Sequence, residues 1–153
     1  MAVSATGDPS TPGTDDDGAR CIQLRIPAKP EYISLCRLAL TGLAEVSAMG
    51  AETIADLKLA LTEAVSNSVR HAYAGRGGGQ VEITYELRPD RFAIEVVDDG
   101  AGFDPDDAAA FEGDELSEGG LGIAIIRAIA DEFEIRSQPG ARGSRLRFVK
   151  LLA

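Results

Sequence analysis

Leu57–Tyr73 reads LKLALTEAVSNSVRHAY, and its spacing decides how the rest of the chain must fold. Ile54, Leu57, Leu61, Ala64, Val65, Val69 and Ala72 recur at helical intervals and make one apolar stripe. At about 100° per residue, Asp56, Glu63, Asn67 and Arg70 fall together on a flank beside that stripe. Glu63 and Asn67 stand four apart, so their side chains meet on one face. A carboxylate there can take a proton, and an amide oxygen can ligate a hard cation. The same pair could be a solvated helix edge, so other residues must decide.

Upstream, Cys21–Ile26 alternates as a first strand, ended by Pro27 and Pro30. From Glu31 to about Met49, Ile33, Leu35, Leu38, Leu40, Leu43 and Val46 give a mostly helical pattern closed by Gly50, and Thr53 is the expected N-cap of the next helix. Downstream, AGRGGG after Tyr73 breaks the chain and reads as a linker. Gln80–Leu87 and Arg91–Asp98 alternate as strands joined by Arg88-Pro89-Asp90, an antiparallel hairpin. Asp99 to about Gly119 is long, acidic and irregular, as functional or mobile loops often are. A helix from Gly120 to about Asp131 and strands over Glu132–Ser137 and Ser144–Leu152 complete the order β-α-α-β-β-α-β-β. Hairpins dominate, which predicts an α+β fold: a two-layer α/β sandwich, mainly antiparallel, with helices on one face. Residues 1–18 carry almost nothing to bury and read as a disordered tail before one domain over 19–153.

The chain has 153 residues, with 25 acidic and 15 basic side chains and a net charge of −10. That balance argues against direct nucleic-acid binding, which needs clustered Lys and Arg. Any phosphorylated ligand would be held more by metal ions and backbone N–H groups than by a basic field. Cys21 and Cys36 form no metal or redox motif and read as small buried hydrophobes in a reducing compartment. No apolar run is long enough for a membrane span, and the N-terminal stretch lacks the pattern of a signal peptide, so a cytoplasmic location is expected.

Two glycine motifs raise the weight of Glu63 and Asn67. Asp98-Asp99-Gly100-Ala101-Gly102 ends the second hairpin strand, where glycines let backbone approach a ligand closely. A dinucleotide fingerprint is excluded, because Asp104 and Pro105 follow where a third glycine and a helix would be needed. A buried Asp98 carboxylate could accept a hydrogen bond from an exocyclic amine such as that of adenine. Glu118-Gly119-Gly120-Leu121-Gly122-Ile123 runs from the long loop into a helix, and unpaired N–H groups at such a start can cradle phosphate. No Walker lysine motif occurs.

Together, E-x-x-x-N on a helix, D-x-G-x-G, a lid and G-G-L-G opening a helix resemble the ATP-binding domain shared by gyrases, heat-shock chaperones, mismatch-repair proteins and histidine kinases, the GHKL or Bergerat fold. The runs EAVSNSVRHAY and LSEGGLGIAII look like the small, free-standing RsbW-like anti-sigma-factor serine/threonine kinases, and the resemblance covers roughly residues 20–152. It implies that ATP and Mg2+ are the cofactors. It further implies that Glu63 is the general base, that Asn67 ligates the Mg2+, and that Asp98 recognises adenine in a pocket shaped by Gly100 and Gly102. Gly119, Gly120, Leu121 and Gly122 would wrap the phosphates, with Asp99–Glu118 as lid. The implied partners are a sigma factor, which the protein sequesters, and an anti-sigma-factor antagonist, which it phosphorylates; a homodimer is implied as well.

One departure concerns charge: no Lys or Arg occurs from Asp99 to Glu118, whereas lids of this fold often carry one. Arg70, His71 or Arg76 could compensate, and His71 sits where the family pattern has a histidine after the Asn, lining the pocket or packing the helix. Two alternatives stay open: an ATP-binding sequestering module without kinase turnover, and a histidine-kinase-type catalytic module.

Overall fold

The computed structural model describes residues 2–5, 19–47, 49–72, 79–99, 118–136 and 143–152. In chain order the elements are β1 (Ala2–Ala5), β2 (Arg20–Pro27), a 3-10 turn (Pro30–Tyr32), α1 (Ile33–Glu45), α2 (Ala51–Ala72), β3 (Gln80–Leu87), β4 (Arg91–Asp98), α3 (Glu118–Ile129), β5 (Glu132–Arg136) and β6 (Ser144–Leu151). The six strands form one sheet in the order β1-β2-β3-β4-β6-β5, and every neighbouring pair is antiparallel. The expected two-layer α+β sandwich is therefore the observed architecture.

Period-two patterning builds the inner face. Val81, Ile83, Tyr85 and Leu87 of β3 are buried, and across the register lie Phe92, Ile94 and Val96 of β4. Leu146 and Phe148 of β6 extend the same face, as do Leu24 and Ile26 of β2. The helices cover this face with Cys36, Leu40 and Leu43 from α1, Leu57, Ala60, Leu61, Ala64 and Val65 from α2, and Ile126 from α3. Tyr85 ties the layers together: its hydroxyl donates to the Cys36 carbonyl at 2.7 Å, satisfying a buried polar group. The other face carries cross-strand ion pairs such as Arg25–Glu82 and Arg145–Glu95, both 3.0 Å, which suit a wet surface.

Three expectations are corrected. The tail was expected to hold no element, yet Ala2–Ala5 pairs with β2 from Ala2↔Arg25 to Ala5↔Ile22. Val3 stays 67% exposed, so this strand is held by backbone pairing along the edge of β2 and leaves no apolar alternation to read. The first helix is shorter than Glu31–Met49: a 3-10 turn with Pro at its start leads into α1, and Val46 and Ser47 N–H donate to the Leu43 and Ala44 carbonyls where α1 ends. Leu38 and Val46, placed in its apolar stripe, are 64% and 57% exposed. Finally, α2 starts before Thr53, because Ile54 N–H donates to Gly50 O and Gly50 takes the cap position. No helix among the described residues is long and apolar enough to cross a membrane.

Candidate functional site

Burial of polar groups locates the site. Among the described residues the buried polar or charged side chains are Asn67, Ser68 and Asp98. Desolvating such a group is costly unless something pairs with it. Asn67 is 7% exposed, and among the described residues neither its Oδ1 nor its Nδ2 has a hydrogen-bond partner. An orphaned amide of this kind calls for an explanation such as an ion or ligand.

The α2 periodicity aims it. Leu57, Leu61, Ala64 and Val65 sink into the core, which turns Glu63 and Asn67 to the margin, Glu63 half-buried and Asn67 buried. Helix α3 packs on α2 at this margin. A Cβ on Gly122 would lie 2.7 Å from Glu63 Oε2, 3.4 Å from Asn67 Nδ2 and 3.6 Å from Asn67 Oδ1. The second turn of α3 thus rests on the acid–amide pair, and a side chain at 122 would displace the carboxylate. Glu118, Gly119 and Gly120 form the first turn of α3, two residues earlier than expected, where backbone N–H groups lack intrahelical acceptors. Leu121 is exposed and points away from the core.

Asp98 is 5% exposed at the last position of β4, the strand over which α2 packs. Ser144 Oγ donates to Asp98 Oδ2 at 2.5 Å. Gly143 precedes it with φ +95°, and a Cβ there would stand 2.6 Å from the Asp98 carbonyl oxygen. Only glycine fits both the backbone angle and the contact. Gly143 and Ser144 were not singled out from sequence. Their signal was the start of a strand after a glycine, which is common to many turns.

Arg70 is exposed and does not stand without a partner. His71 lies in the last turn of α2, and its side chain falls outside the described residues. Gly100, Gly102, Arg76 and the body of the lid likewise lie outside them. Among the described residues no cluster of three or more His, Cys, Asp or Glu could hold a metal. A cation here would draw on the Asn67 amide oxygen with phosphate and water oxygens, as magnesium often does.

The chain is similar to proteins of known class over most of its length. Residues 26–150 match the histidine kinase-like ATPase domain family. Serine-protein kinase RsbW of Bacillus pumilus (strain SAFR-032) is 38% identical over 138 residues, covering 84% of this chain and 85% of that protein. Serine-protein kinase RsbW of Listeria innocua serovar 6a is 37% identical over 127 residues, covering 78% of this chain and 81% of the relative. Among solved structures, the RsbU and RsbW domains of Rv1364c from Mycobacterium tuberculosis share the fold with a TM-score of 0.61 at 23% identity, over 84% of this chain and 32% of that one. The mycobacterial sensor histidine kinase MprB shares it at a TM-score of 0.53 and 16% identity, over 84% and 97% of the two chains. The buried amide, the glycine-lined helix start and these likenesses agree: the chain belongs to the histidine kinase-like ATPase domain family and, within it, to the RsbW serine-protein kinases.

Proposed function

We propose that this chain is a cytoplasmic anti-sigma factor and serine/threonine kinase that binds ATP with Mg2+, sequesters a sigma factor and phosphorylates a Ser or Thr of its antagonist protein. The single observation that carries the reading is Asn67: a buried amide without a described partner, four residues from Glu63 on one helical edge and covered by the glycine turn of α3. Asp98, oriented by Ser144, is suited to accept the adenine amine. Gly119 and Gly120 in the first turn of α3 favour phosphate through free N–H groups and the positive end of the helix dipole, and Gly122 in the next turn keeps the approach clear of a side chain. Mg2+ held by Asn67 would supply charge neutralisation on the phosphates.

In the proposed transfer, the acceptor hydroxyl oxygen forms a bond to the γ-phosphorus and the bond from that phosphorus to the β–γ bridging oxygen breaks, releasing ADP. The hydroxyl proton passes to the Glu63 carboxylate, which is half-buried. Positioning supplies most of the rate in such reactions. The exposed face of α1, with Leu38 outward, is a candidate partner surface, and a homodimer is part of the proposal.

Purified protein incubated with labelled ATP, Mg2+ and candidate antagonists should move label onto a Ser or Thr. Glu63→Gln should abolish transfer while keeping ADP affinity. Transfer by Glu63→Gln at the normal rate would remove the assigned base. Magnesium-dependent ATP binding without transfer to any partner would favour the sequestering module, which the absence of Lys and Arg from Asp99 to Glu118 makes the second reading.

A further inference from the structure

A cavity lies at the opposite end of the sheet from Asp98. The start of β2, the β3–β4 turn, the end of β6 and the α1–α2 connection enclose about 510 Å3, within the range of small-molecule sites. Arg88 and Pro89 of its wall precede β4, whereas Asp98 ends that strand, about 23 Å further on for seven residues of strand. Thr53 of its wall is fourteen residues before Asn67 on α2, about 21 Å along the helix. The cavity is thus separate from the nucleotide site and unused by the proposed reaction.

Its lining has two characters. Leu87, Met49 and Leu152 make an apolar wall, joined by Val46 and Leu151, which remain 57% and 50% exposed. Apolar side chains left in water around one cavity suit an apolar occupant. Both charged residues among the described lining are arginines, Arg20 and Arg88, in a chain of net charge −10. The Arg20 guanidinium reaches Val46 O at 3.4 Å, and Arg88 Nε holds Glu86 Oε1 at 2.5 Å. With Glu86 set against Arg88 and no acid among the described lining residues, the wall matches a monoanion better than a phosphate dianion.

We propose that this cavity binds a small amphipathic carboxylate, its head on the Arg20 and Arg88 guanidiniums and its hydrocarbon body over Leu87, Met49 and Leu152. Guanidinium suits a carboxylate head because its planar N–H fork matches the two oxygens.

Octanoate, octanol and octylammonium titrated into the isotope-labelled full chain, followed by amide NMR shifts, test this. Octanoate should give saturable shifts at Ser47, Gly50, Thr53 and Arg88, and octanol should bind about tenfold more weakly for want of a charge-assisted bond. The double variant Arg20→Gln, Arg88→Gln should bring octanoate down to the octanol level while leaving ADP affinity unchanged. Gly50→Phe is the second variant. Nothing lies within 4 Å of where its Cβ would stand and its φ is not left-handed, so it should fold and block octanoate. The proposal is overturned if octanoate shifts do not saturate or map elsewhere, if octanol or octylammonium binds as tightly, or if a folded variant leaves octanoate binding unaltered.

Discussion

Ser144 and Asp98 are cross-strand partners at the start of β6 and the end of β4, and the serine hydroxyl donates to Asp98 Oδ2 at 2.5 Å. The bond sets the direction of a buried carboxylate before any ligand arrives, so binding need not order it. Removing the hydroxyl should cost about 1 kcal/mol of orientation, or roughly fivefold in ADP affinity. Calorimetry on Ser144→Ala and Ser144→Thr checks this: the alanine variant should weaken binding and the threonine variant should restore it. Equal affinity in all three proteins would mean that the aspartate is held by other contacts.

Gly122→Ala separates catalysis from stability. The new methyl would press on Glu63 Oε2, the far end of a flexible side chain that can swing aside. Alanine is also the better helix former, by about 1 kcal/mol. The urea midpoint should hold or rise slightly, while phosphotransfer falls by about 10²-fold because the base is misplaced. Full transfer activity in the folded variant would show that the position of Glu63 in this structure is not the one chemistry needs.

Two other glycines should respond in opposite directions. At Gly143 the φ of +95° and the 2.6 Å approach to the Asp98 carbonyl leave no room for a side chain. Gly143→Ala should lower stability by about 1–3 kcal/mol. Gly42, inside α1, has nothing within 4 Å of a would-be Cβ. Gly42→Ala should raise stability by about 0.5–1 kcal/mol. Denaturant titrations of both variants against the parent chain decide the signs.

Alkaline stability should report the buried Cys36–Tyr85 contact. Burial pushes the Cys36 thiol up from 9.0 to about 11. The Tyr85 hydroxyl is raised above its usual 10.0, first by burial and then by the neighbouring Cys36. Above pH 9 the folded protein keeps protons that the unfolded chain releases, so stability is full below pH 9 and declines as pH rises through about 11. The Cys36 share of that loss is roughly 3 kcal/mol, and Tyr85 adds to it from about pH 10 upward. Urea midpoints between pH 8 and pH 11 should fall, and Cys36→Ala should flatten part of the slope. A pH-independent midpoint would contradict the assignment.

Much of this architecture was legible in one dimension because it follows from local periods. The stripe from Leu57 to Val69 and the alternation Val81, Ile83, Tyr85, Leu87 each specify a buried face whatever lies opposite. Glu63 and Asn67 could be picked out for the same reason, since helical geometry alone brings residues four apart together. The glycine runs at 100–102 and 119–122 marked close backbone approach without saying to what. The short strand β1 escaped because edge pairing requires no apolar pattern, and Thr53 misled because a plain Gly50 carbonyl could receive the first helical bond.

Sequence alone, then, determined the existence of every described helix and of the strands after β1, the apolar faces of α2, β3 and β4, and that an acid and an amide share one helical edge, because those depend on neighbours a few bonds or one turn away. Tertiary structure alone decided that β6 enters the sheet between β4 and β5, that Ser144 therefore meets Asp98, and that Gly122 rests on Glu63 and Asn67. Those relations join residues 46, 59 and 55 positions apart in sequence, by strand register and helix packing that only the assembled core can select.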